Sequence, residues 1–75
     1  MAPRLPMLKA RDVLRVLKLF GFFSVRQTGH HIFLKHPDGR TTVVPMHGGE
    51  DIGRGLLRTI LKEAEISQDE FLNIL

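Results

Sequence analysis

The sequence predicts an α+β domain in which a helix, a three-stranded antiparallel meander, a second helix and a short terminal helix follow one another (α-β-β-β-α plus the terminal helix). Three observations lead there. Apolar residues recur at helical spacing in two separate stretches, residues 10–20 and 54–64. Between them lie three short segments rich in β-branched and aromatic side chains. Those segments are divided by turn chemistry, Thr28-Gly29 and then His36-Pro37-Asp38-Gly39.

Residues 1–8 contain Pro3 and Pro6 and read as an extended lead-in to one domain spanning residues 1–75. From Lys9 the pattern changes. Val13, Leu14, Val16, Leu17 and Phe20 fall on one side of a helix running from about Ala10 to Phe20, with Lys9, Arg11, Asp12, Arg15 and Lys18 mostly on the other. Gly21 follows where a left-handed cap belongs. Phe22–Gln27 and His30–Lys35 read as two strands joined by a hairpin, the second alternating through Ile32 and Leu34. A tight turn at residues 36–40 leads to a third strand, Thr41–Val44, stopped by Pro45. Met46–Gly53 reads as a loop. Leu56, Leu57, Ile60, Leu61 and Ala64 then mark a helix over Arg54–Ala64, and Ser67-x-x-Glu70 has the spacing of a capping box that opens a terminal helix.

Length and composition narrow the function. A chain of 75 residues buries only about 60% of the surface its unfolded form exposes, so its core is thin. Cysteine is absent, which excludes a disulfide framework, a thiolate zinc site and a cysteine nucleophile. The longest uncharged apolar run, Leu19–Val25, is far short of the roughly 20 residues that span a bilayer, and no signal-peptide pattern opens the chain. The expectation is a cytoplasmic protein with no membrane association. Its charge is divided unevenly. Residues 1–40 carry eight basic and two acidic side chains, whereas residues 41–75 carry three basic and six acidic ones. A basic half suits a polyanion, because each neutralised phosphate releases counterions; for any single side chain, solvation of a helix face is the simpler reading.

Four histidines are the main candidates for chemistry. Adjacent strand residues such as His30 and His31 point to opposite faces and cannot share an ion. A set made of His31, His36 and His47 lacks recognised ligand spacing, so no metal and no cofactor are expected. Neither Ser24 nor Ser67 sits in a nucleophile elbow, and the glycines near residue 50 precede no phosphate-binding Lys-Ser/Thr. A histidine acting on RNA remains, since the 2′-OH supplies the nucleophile and the enzyme need only move protons and stabilise charge. His30 follows a glycine that lets a phosphate backbone approach; a turn hydrogen bond is its alternative role.

Arg26-Gln27-Thr28-Gly29-His30-His31-Ile32-Phe33, His36-Pro37-Asp38-Gly39-Arg40, Val43-Val44-Pro45-Met46-His47-Gly48 and Leu57-Arg58-Thr59-Ile60-Leu61 together resemble the HicA family of mRNA interferase toxins. The likeness covers about residues 7–75. It implies a fold like that of double-stranded-RNA-binding domains and a metal-independent endoribonuclease belonging to a type II toxin–antitoxin system. It further implies mRNA as the substrate, no small-molecule substrate, and a HicB-like antitoxin that covers the site. Carried over, the catalytic role falls on His30, with His31 as second choice, because Thr28-Gly29 stands where the family usually has Gly-Ser. Lys9, Arg11, Arg26, Lys35 and Arg40 are the expected RNA-binding cations. A non-catalytic RNA-binding module of the same fold is the alternative, since such folds bind duplex RNA by shape alone.

Overall fold

A computed structural model of the chain describes residues 5–46, 49 and 51–75. Its elements run β1 (Leu8–Lys9), α1 (Ala10–Leu19), β2 (Phe23–Thr28), β3 (His31–Lys35), β4 (Thr41–Pro45), β5 (Asp51–Ile52), α2 (Arg54–Ala64) and α3 (Gln68–Ile74). The expected helix–meander–helix order is present, and β2-β3-β4 form one antiparallel sheet, an arrangement compatible with the fold of double-stranded-RNA-binding domains.

α1 buries Ala10, Val13, Leu14, Val16 and Leu17, the spacing that puts one stripe of a helix against a core. The chain leaves α1 just beyond the Phe20 cap through Gly21, whose φ of +98° lets the Phe22 amide donate to the Leu17 carbonyl and the Gly21 amide to the Lys18 carbonyl. Gly29 and His30 make a two-residue hairpin loop in which Gly29 takes the positive φ, as the first loop position of a type II′ turn does. One extra residue, Val25, interrupts the β2–β3 register between Ser24 and Arg26.

The inner face of the sheet supplies Ile32, Leu34, Thr42 and Val44 to the core, where they meet the apolar stripes of α1 and α2 together with Phe22 and Phe71. Both helices pack against β4, and every residue of the edge strand β2 is exposed. α3 begins with the expected capping box: the Ser67 hydroxyl accepts from the Glu70 amide and the Glu70 carboxylate accepts from the Ser67 amide. Phe71 then anchors this short helix, fully buried.

Three expectations need correction. The segment Met46–Gly53 is not a plain loop, because Asp51–Ile52 pairs antiparallel with Leu8–Lys9 at the end of the lead-in. The lead-in is likewise docked: Leu5 is buried in the core, and Arg54 Nε donates to its carbonyl at 2.6 Å. Two-residue strands are too short to show a period, and one leucine between prolines carries no pattern. Pro45, expected to stop the third strand, is its last member, opposite His31. It has no N–H to give; the next donor, the Met46 amide, bonds the His30 carbonyl.

Candidate nucleic-acid interface

With the helices on one side of the sheet, the register sorts the other side into rows. Partners in an antiparallel ladder share a face, and residues two apart along a strand recur on it about 6.7 Å further on. Thr28, His31 and Pro45 make the first row; Arg26, Phe33 and Val43 the second; Phe23, Lys35 and Thr41 the third. His31 is exposed on this face, as are Arg26 and Lys35. His30 stands next to it on the hairpin turn, exposed, with its carbonyl tying the turn to the end of β4.

The segments that form the three strands contain no Asp or Glu, so the cations on this face have no carboxylate beside them in the sheet. Arg26 lies over Phe33, its Cζ 4.6 Å from the ring centroid. At that distance the ring quadrupole attracts the guanidinium, which keeps the cation over the sheet face. A histidine, an arginine and a lysine are thereby gathered on one surface, an imidazole that can accept or donate a proton beside two cationic side chains.

The other expected cations are placed differently. Lys9 pairs with Asp51 at 2.8 Å and also donates to the Gly49 carbonyl. Arg11 is exposed on α1, which packs on the opposite face of the sheet. Arg40 is committed to the fold: its Nε donates to both Asp38 oxygens, at 3.1 and 2.8 Å, its Nη1 to the Ala64 carbonyl at the end of α2, and its guanidinium lies 5.2 Å from the Phe22 ring centroid. The Arg40 hydrogen bonds hold the Asp38 carboxyl below the ordinary aspartate value of 3.8.

His36 belongs to the same turn. Its ring meets Phe22 edge-on, with centroids 5.2 Å apart, and its Nδ1 lies 3.1 Å from the Asp38 amide nitrogen, which donates to it. It follows β3 at the end remote from His31, so the two are separated by roughly 16 Å of extended chain and cannot share a small ion. His47, the third member of the metal set considered above, lies outside the described residues. Among the described residues no three His, Cys, Asp or Glu side chains gather to hold a metal, and no helix is long and apolar enough to cross a membrane.

Sequence reasoning did not single out Phe23 and Phe33 as outward-facing, although the alternation that buries Ile32 and Leu34 fixes His31, Phe33 and Lys35 on the other side of the same strand. The comparison with known families decides the lineage. The pattern described as the HicA toxin of bacterial toxin–antitoxin systems matches residues 10–66, more than half of the chain. The chain belongs to the HicA toxin family. The match begins at the first residue of α1 and runs through β2, β3, β4 and α2 to Ile66, so this HicA domain includes the whole candidate face. Membership in HicA makes the chain a toxin of the toxin–antitoxin type, and such a toxin has an antitoxin partner. No curated protein matches the chain.

Proposed function

We propose that this HicA-family toxin is a metal-independent endoribonuclease that cleaves mRNA on the outer face of the β2-β3-β4 sheet. The observation that carries the reading is the placement of an exposed histidine, His31, on a face whose charged neighbours are Arg26 and Lys35. RNA carries its own nucleophile. In the proposed step the imidazole accepts the 2′-OH proton as that oxygen attacks the adjacent phosphorus; the bond to the 5′-oxygen breaks, and the leaving oxygen takes up a proton from the imidazolium or from water. Arg26, one row along, offsets the charge that builds on the phosphoryl oxygens, and Lys35, two rows along, holds the RNA backbone. No metal-bound water is needed.

The residue pattern put His30 first, and the geometry favours His31. Only His31 stands in a row of the cationic face, whereas His30 closes the hairpin. A HicB-type antitoxin covering this face would exclude RNA both by bulk and by carrying acidic groups to Arg26 and Lys35. Cleavage of mRNA places the activity in the cytoplasm.

The test is cleavage of a single-stranded RNA by wild type, His31→Ala and His30→Ala. His31→Ala is expected to lower the rate by about 100- to 10,000-fold while His30→Ala keeps most of it. The reverse ranking returns the role to His30. Undiminished RNA binding with no cleavage by the wild type would make the protein a non-catalytic RNA-binding module.

A further inference from the structure

One row along the sheet from His31 lies a surface that proton transfer does not use. Phe33 is only half-buried, Phe23 is 46% exposed and Val25 is 52% exposed, so aromatic and aliphatic groups face solvent together. Val25, Arg26, Phe33, Lys35, Thr41 and Val43 line an open groove there. We infer that this groove is a subsite for an unstacked nucleobase of single-stranded RNA, seated against the Phe33–Arg26 pair with its flanking phosphate on Lys35.

The ligand class follows from the chemistry of the lining. An aromatic ring with a guanidinium laid over it offers two planar surfaces, and planar bases stack on both kinds. The strands provide cations and no carboxylate, which complements a polyanion. A duplex keeps its bases stacked on each other, so only a single strand, loop or bulge can present one to the groove. Phe33 follows His31 by two residues on the same face, about 6.7 Å away, so the stacked base belongs to a nucleotide beside the one that meets His31. Every base has a π face, so this subsite selects strandedness rather than sequence.

The inference specifies the substrate of the ribonuclease reading and rests on it. The two are separated by measuring binding apart from cleavage. The probes are a short 2′-O-methyl RNA, which cannot be cut by its own 2′ oxygen, and an abasic strand of the same length. Phe33→Leu keeps apolar bulk and removes the π face; it is expected to weaken the base-bearing strand by about 5- to 150-fold and to leave the abasic strand unchanged, with Phe33→Trp restoring affinity. A 2-aminopurine in the strand should lose fluorescence on binding the wild-type protein, a readout that needs no variant. Equal affinity of wild type and Phe33→Leu for the base-bearing strand, or no change in 2-aminopurine emission, would overturn the base subsite. If Arg26→Gln and Lys35→Gln still weakened binding in that case, the RNA reading would stand. Failure of the wild type to bind either strand would overturn both and leave the apolar patch to a protein partner.

Discussion

At Gly21 two constraints coincide on one missing carbon. Its φ of +98° lies where side chains cost about 1–2 kcal/mol, and a Cβ built there would stand 2.8 Å from His36 Nε2. Gly21→Ala is therefore expected to destabilise the fold by more than the backbone cost alone, because the imidazole must also leave its edge-on contact with Phe22. Gly29→Ala is the control. Gly29 has a φ of +58° and open space around its Cβ position, so only the backbone cost of about 1–2 kcal/mol applies. Urea midpoints of the two variants give the comparison, and equal losses would show that His36 yields freely. A cap at Gly21 was legible in the sequence, since glycine directly after an amphipathic stretch has few other uses; the imidazole above it was not, because His36 is fifteen residues away. The order of His30 and His31 was hidden for a related reason. A strand exchanges its two faces with every residue, so a pattern uncertain by one position leaves open which of the two histidines stands on the sheet face.

Among the elements, the turn at residues 36–40 ties β3 and β4 to α2 and to Phe22. The His36 amide donates to the Arg40 carbonyl at 2.8 Å and the Gly39 amide to the His36 carbonyl at 2.9 Å, which closes the turn. Arg40 then links Asp38, the Phe22 ring and the Ala64 carbonyl. Asp38 gives this linkage a pH signature. Its carboxyl titrates lower in the folded protein than in the unfolded chain, so its contribution to stability is fully present above the unfolded value of 3.8 and is lost as pH falls through the lowered folded value. Thermal midpoints followed downward from pH 5 should therefore decline less steeply in Asp38→Asn than in wild type. Parallel curves would mean that Asp38 ionises no more easily folded than unfolded. The turn itself was readable from Pro-Asp-Gly, but the partner of Arg40 was not, since Ala64 lies twenty-four residues on. The β1–β5 ladder escaped for want of length: two residues define no alternation.

Over the whole molecule, the uneven charge of the two halves of the sequence becomes a division between faces. Arg26, Lys35 and His31 share the outer side of the sheet, while Glu63, Glu65, Asp69 and Glu70 lie along the end of α2 and through α3. Sequence counting found the basic half; it could not tell which cations were already spoken for, because an ion pair such as Lys9–Asp51 depends on a chain reversal more than forty residues long. The distinction is measurable in salt. Neutralising Arg26 or Lys35 should flatten the plot of log RNA affinity against log salt by about 0.7 per contact removed, while Lys9→Gln leaves the slope unchanged. A slope indifferent to Arg26 and Lys35 would assign the cationic face to solvation alone. The free side of β2 bears on how the toxin behaves when crowded. An unpaired strand edge is an invitation to pair with a second copy, and a toxin produced in excess of its antitoxin would be the species at risk. The extra residue Val25 breaks the register of this strand, and such a bulge disfavours pairing of two such edges along their whole length. Deleting Val25 would restore regular pairing along this strand, and light scattering of the variant at high concentration is expected to rise above that of the wild type.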